Sequence, residues 1–442
     1  MAVAIRTGLV ARLIALSIIA FAAAACAGNA PTPPAFPPST PPALGSATAI
    51  PSSVVSPSAT HASPTRTLIT TTSTITLTLW ATEDLSPGTT AAGRILRNQF
   101  DAFTAANPNI HVDVVLKKPY GKGGMLDFLT TSAVAPDQLP DLATLDISEV
   151  PQASAAGILQ PLDPLLTANV KGDLFPFAYQ AALYQGKWVA LPFTADIEHL
   201  VYSKTLVKRV PQTWDDLLRQ RGSFLAPAGG DDAFLVQYLA LAPLFDATNQ
   251  VVVDTNAASQ VLNFYKRAHD LGLLPDTAIG LKNSDEAWPV FGAGKVAMVQ
   301  AWASRYLADR DKLPDAAYAA IPTRDGQPSA VAVGWSFVLV TTNAARQAAA
   351  ARFIQWLVQA EHLAPWLRAA HRLPASRSAL TLSVDPVDYT IFLRDPLEHA
   401  AYLPPSGVYG RASDAWRAAM AAVWKGQTTP EEAARNIAGA LK

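Results

Sequence analysis

The sequence predicts an α/β body, with a largely parallel sheet and crossover helices, carried behind an uncharged proline-rich segment. Three observations predict it. Short runs alternate apolar and polar residues at period two, and between them longer runs repeat apolar residues at helical spacing. The first seventy or so residues hold almost no charge. Overall, 34 Lys+Arg stand against 35 Asp+Glu in 442 residues, for a net charge of −1. That balance argues against a nucleic-acid binder and against a polybasic membrane-surface protein. Charged residues make up 16% and prolines number 35, where ordinary domains have about 25% charged residues and about 5% Pro. Both shifts point to a tether. The single cysteine excludes an internal disulfide, a multi-cysteine zinc site and a dithiol mechanism within one chain.

Arg6 and Arg12 lead into the apolar run Leu13 to Ala25, too short to cross a bilayer, which takes about 20 residues. It has the size of a secretory h-region. The run ends Ala23-Ala24-Ala25-Cys26 and resembles the bacterial lipobox, in which the thiol is diacylated and the cysteine becomes the first mature residue. The alternative, an ordinary leader with an incidental cysteine, leaves the position of the sole thiol unexplained. The expectation is a lipoprotein signal peptide at 1–25, lipidation at Cys26, and an extracytoplasmic protein anchored to the cell membrane rather than spanning it. From 26 to 73 the text is mostly Pro, Ala, Ser and Thr, with Arg66 the single charge and paired prolines at 33–34, 37–38 and 41–42. Such a stretch cannot offset its ordering entropy by burial, so it reads as an extended tether, partly polyproline II.

Ile75, Leu77 and Leu79 alternate with threonines in a strand ending at Trp80, and a polar loop with Glu83 and Asp84 follows. A helix is expected from about Ala92, with Leu96, Phe100 and Phe103 on one face, then a strand at Ile110, Val112 and Val114. A further helix near 126–135 leads to a short buried strand ending at Asp146. This rhythm predicts parallel strands with crossover helices, whose ligands bind at the carboxyl ends of strands. Further on, strands are expected at 187–193 after the turn Gln185-Gly186, at 199–202, from a turn at 291–295 to Trp302, and at 335–340. Thr213, Asn343 and Thr429 are candidate helix caps. Ser413 is expected to begin a helix bearing Trp416, Met420 and Trp424.

Several catalytic signatures are missing. Gly292-Ala293-Gly294-Lys295 is followed by Val296 and preceded by Pro289 where a phosphate loop needs glycine. No G-x-S-x-G elbow and no H-E-x-x-H helix occurs. Carboxylates meeting in space as a glycosidase pair stay open as an alternative.

Trp80 at the end of the first strand, PDLATLD, LPFTADIEHLVYSK with PQTWDDL, FGAGKVAMVQAW, AVGWSFVLVTTN and SDAWRAAMAAV together resemble, in order, the extracellular solute-binding proteins of family 1. These are the sugar-binding lipoproteins of ABC importers related to maltose-binding protein. The resemblance covers about 74–442. It implies a two-lobed periplasmic-binding-protein-like fold with a hinge, lobe one at 74–195 and 330–377 and lobe two at 199–327 and 378–442. It further implies a monomer that hands its ligand to permease subunits, with no cofactor and no catalysis.

A pyranose offers an apolar face and a ring of hydroxyls, which an indole plate and hydrogen-bonding acids complement. By matching, Trp302 and Trp416 are stacking candidates and Asp196 is a hinge-region acceptor. Trp416 shares a helical face with Met420 and Trp424, which is equally a core pattern. Trp80 and Trp335 sit at strand edges, Glu83 and Asp84 lie in the first loop, and Asp146 closes a strand where it could instead cap a helix. The first loop departs from the family pattern, because the acid–lysine pair found there in maltose-binding protein is missing. The expected function is capture of a neutral mono- or oligosaccharide. The alternatives are a polyol, polyol phosphate, polyamine or peptide binder, and a surface glycosidase.

Overall fold

The structure, a computed structural model, describes residues 74–441 apart from 231, 247–249 and 403–406. The leader expected at 1–25, the lipid site expected at Cys26 and the tether expected at 26–73 lie outside the described residues. None of the described helices is long and apolar enough to cross a membrane.

β1 (Ile75–Ala81), β2 (Ile110–Leu116) and β3 (Leu142–Asp146) open the body. A small hairpin of β4 (Leu183–Tyr184) and β5 (Lys187–Trp188) precedes β6 (Ala190–Pro192) and the long β7 (Thr194–Ser203). Then come β8 (Phe224–Leu225), β9 (Met298–Trp302) and β10 (Ala316–Ala319). β11 (Ala332–Val333), β12 (Trp335–Leu339) and β13 (Leu373–Pro374) complete the strands. One sheet has the order β2-β1-β3-β12-β6, and a second runs β10-β7-β9-β8, with β11 and β13 also pairing with β7.

β1 pairs in parallel with both β2 and β3, across the helices Ala91–Ala106 and Met125–Ser132, as the strand–helix rhythm predicts. β8 and β9 are also parallel, but several other pairings correct that expectation. β12 runs antiparallel to β3 and β6, and β7 runs antiparallel to β9 and β10. The physical reason is that β12 enters the first sheet on its return from the second, from the opposite end to a crossover strand. Alternation reveals a strand but not its direction.

Local signals act where the sequence places them. Thr90 caps the first helix by accepting from the Gly93 N–H at 3.0 Å. Phe100 and Phe103 pack edge-on against Phe353 at 5.0 and 5.1 Å, each such burial contributing about 1.5–3 kcal/mol. Thr213, Asn343 and Thr429 all accept capping hydrogen bonds. Gln185 and Gly186 both have positive φ, 50° and 77°, the two-residue turn that suits a hairpin's twist. Other elements differ: the strand expected at 187–193 is split between β5 and β6, which lie in different sheets, and the one expected at 199–202 is the end of the longer β7. Residues 291–292 end a helix, Ser284–Gly292, whose buried Ala287, Trp288 and Phe291 are masked in the sequence by Pro289 and Gly292. The helix placed from Ser413 runs Gly407–Trp424, so the serine is internal and not a cap.

The two sheets are joined at one end of β7. β6 in the first sheet leads almost directly into β7 in the second. Val333 of β11 lies opposite Asp196, and Leu373 of β13 opposite Ala195. Three passages of the chain therefore stack at one place. Gly334 allows the closeness, since a Cβ there would stand 2.2 Å from the Thr194 carbonyl oxygen.

Candidate functional site

The ends of both sheets converge beside this junction. β3 ends at Asp146 and β12 begins at Trp335, directly opposite in register. β7 supplies Thr194 and Asp196, and its partner β9 ends at Trp302, opposite Glu198. The following helix, Ala303–Asp309, contributes Ser304 and Arg305. These residues line a cavity of about 380 Å³, together with Tyr120 from the loop after β2 and His371-Arg372 after the helix Ala360–Ala370.

Asp146 is held on both oxygens. Tyr120 donates its O–H to Oδ2 at 2.6 Å, and the Ser148 N–H donates to Oδ1 at 2.8 Å. Each oxygen keeps accepting capacity for a further donor. Asp196 is 6% exposed, and its Oδ1 accepts from the N–H groups of Ile197 at 3.0 Å and Ser304 at 3.2 Å. Burial pushes its carboxyl up to about 6, against the opposing pull of Ser304 hydrogen bonding and the Arg372 charge. Burial, reinforced by Asp146, pushes Glu149 up to about 7. Desolvation local to the hydroxyl, with Asp146 beside it, holds Tyr120 well above the usual phenol range although the residue as a whole is exposed.

Both guanidinium groups in the wall carry carboxylate partners: Arg305 pairs with Asp285 at 2.6 Å, and Arg372 with Asp84 at 2.6 Å. The wall thus presents two half-buried indoles, two anchored carboxylates and cations already engaged. It suits a ligand with an apolar face and hydroxyl donors better than an anion.

Of the eight residues singled out in the sequence, Asp146, Asp196, Trp302 and Trp335 meet on this cavity. The other four do not line it. Trp80 is 7% exposed, set edge-on to Phe128 at 6.2 Å with the Lys117 ammonium over its ring at 4.3 Å. Glu83 is exposed on a short turn, Glu83–Leu85. Asp84 stands behind the wall as the partner of Arg372. Trp416 is buried, 1% exposed, and stacked on Phe234 at 5.4 Å; of its two readings, the core pattern with Met420 and Trp424 is the one the structure adopts.

Sequence reasoning missed Tyr120, Asp285, Arg305 and Arg372. Tyr120 follows a strand at its carboxyl end in a glycine-rich loop, so the strand-end rule could have found it. Arg372 carried no local signal, because its partner Asp84 lies 288 residues away.

Fold and cavity together define an α/β binding protein with its cleft between two sheets. The chain belongs to the family described as bacterial extracellular solute-binding protein, whose profile matches residues 98–392. Its fold is similar to that of the cyclic α-maltosyl-1,6-maltose binding protein from Arthrobacter globiformis, with TM-score 0.70 and 20% identity, covering 83% of this chain and 98% of that one. It is also similar to the sugar-binding protein MalE of Xanthomonas citri, with TM-score 0.69 and 19% identity, covering 83% and 96%. At these identities the likeness is one of fold, and it extends the two-lobed architecture to this body. A maltotriose-binding protein of Pyrococcus abyssi is 33% identical over 85 residues, which span 19% of each chain.

Proposed function

We propose that the chain is the substrate-binding subunit of an ABC importer, capturing a neutral mono- or oligosaccharide in the cleft and delivering it to a permease. The observation that carries this reading is the convergence of Trp302, Trp335, Asp146 and Asp196 on one cavity. Indoles would cover the apolar face of a pyranose while the anchored carboxylates accept its hydroxyl protons. Relatives named for maltotriose and for cyclic maltosyl-maltose make short α-glucans the first ligands to try. The protein works without catalysis or cofactor, as a monomer outside the cytoplasm, held to the membrane through a lipid on Cys26. Lobe one is assigned to 74–195 and 330–377 and lobe two to 199–327 and 378–442, with the start of β7 as the hinge. Ligand drives closure only through contacts that the open form lacks; moving the population from 1:99 to 99:1 takes roughly 10⁴-fold differential affinity.

The paired state of Arg305 and Arg372 speaks against a phosphorylated or uronic ligand, which would need to displace a carboxylate. Calorimetric titration with maltose, maltotriose and maltotetraose, followed by chromatography of the recovered sugar, tests the reading. Saturable heat with intact sugar is expected. No heat with any neutral saccharide overturns the sugar assignment, and shortened products overturn the non-catalytic one.

A further inference from the structure

We infer that Tyr120 is a positioning residue, fixing the Trp335 indole and the Asp146 carboxylate as one unit so that stacking and hydroxyl recognition are set relative to each other. This rests on the sugar-binding reading and names a determinant of it outside the residues that the sequence singled out. Trp335 and Asp146 face each other across the β3–β12 ladder, which fixes their backbones but not their side chains. Tyr120 reaches both. Its ring lies 5.7 Å from the Trp335 ring, tilted by 37°, and its hydroxyl donates to Asp146 at 2.6 Å.

The loop carrying Tyr120 is built to hold that pose. Gly121 and Gly123 have φ of 75°, a conformation that L side chains rarely adopt. A Cβ at Gly124 would stand 2.5 Å from the Tyr120 carbonyl carbon, so the chain folds back against the tyrosine's own backbone. Lys118 and Gly124 are bridged across the turn. Yet the side chain is 54% exposed, so little of the core depends on it. Apolar packing alone would not select tyrosine, whose hydroxyl serves the cleft carboxylate.

A pyranose is rigid, with its hydroxyls at fixed angles to its apolar face. A plate and an acceptor locked together therefore bind a matching ring more tightly than two independently mobile groups, because less freedom is lost on binding. Two variants separate the contributions. Tyr120→Phe keeps the ring and removes the hydroxyl, and Tyr120→Ala removes both. Without ligand, the Trp335 contribution to emission (each background minus its Trp335→Phe counterpart) should shift in Tyr120→Ala and persist in Tyr120→Phe. With maltotriose, one lost hydrogen bond predicts roughly 2–10-fold weaker binding for Tyr120→Phe. Losing the ring contact as well predicts about tenfold or more for Tyr120→Ala. An unchanged Trp335 signal in Tyr120→Ala, or wild-type affinity in both variants, overturns the inference. A wild type that binds no sugar while the signal still follows Tyr120 sinks the ligand assignment instead and leaves the locked unit standing.

Discussion

Trp302 sits at the last position of β9, half-buried and on the cavity wall, where a strand hands over to a helix. Its indole is therefore available to a ligand in a way that Trp416, closed over by Phe234, is not. Trp302→Ala is expected to weaken sugar binding by at least about tenfold while far-ultraviolet dichroism stays unchanged; calorimetry checks the first and dichroism the second. Asp196 gives a pH signature. Its carboxyl is pushed up to about 6 by burial. Oδ1 already accepts from the Ile197 and Ser304 N–H groups, so only the ionised form leaves Oδ2 to accept a ligand hydroxyl proton. Affinity should therefore rise roughly tenfold from about pH 5 to pH 7 and level off above, and Asp196→Asn should flatten the curve. The stability contribution of this group has the opposite sign. The folded state holds the proton more tightly than the unfolded chain, whose carboxyl titrates near 3.9, so this carboxyl weakens folding as pH climbs from about 4 to about 6.

The element that organises the site is β7, whose first residues pair with β11 and β13 while its later residues pair with β9 and β10. One continuous strand thus anchors the junction and carries Asp196. Gly334→Ala tests it, since the added methyl meets the Thr194 carbonyl oxygen at 2.2 Å and the β11–β12 passage must move away. A loss of about 1–3 kcal/mol in denaturant unfolding is expected, as for other overpacked sites, with weaker ligand binding because Trp335 follows immediately. Elements held by local chemistry were legible in the sequence. The threonine-alternating β1, the caps at Thr213, Asn343 and Thr429, and the Gln185-Gly186 turn each act within a few residues. What was not legible depends on distant partners. Trp80 and Trp335 both lie near strand ends, but the first is covered by Lys117 and Phe128 and the second meets Tyr120 on the cavity wall, partners too distant in sequence to be read locally. Strand direction in β12, and the Asp84–Arg372 pair, likewise follow from the return of the chain after its excursion into the second sheet.

At the scale of the whole molecule, the candidate ligand groups come from both sheets, Asp146 and Trp335 from the first and Asp196 and Trp302 from the second. A guest that satisfies all four bridges the two lobes, and its binding energy is available to hold them together. The half of the site on each sheet was readable as strand-end chemistry, whereas their meeting required the three passages at the start of β7. Small-angle scattering of the protein titrated with maltotriose and its shorter and longer homologues tests this most directly. The radius of gyration should fall saturably with at least one of these sugars, and in Trp302→Ala the midpoint of that fall should move to at least about tenfold higher sugar. An identical scattering envelope with every sugar at concentrations where calorimetry reports saturation would contradict it.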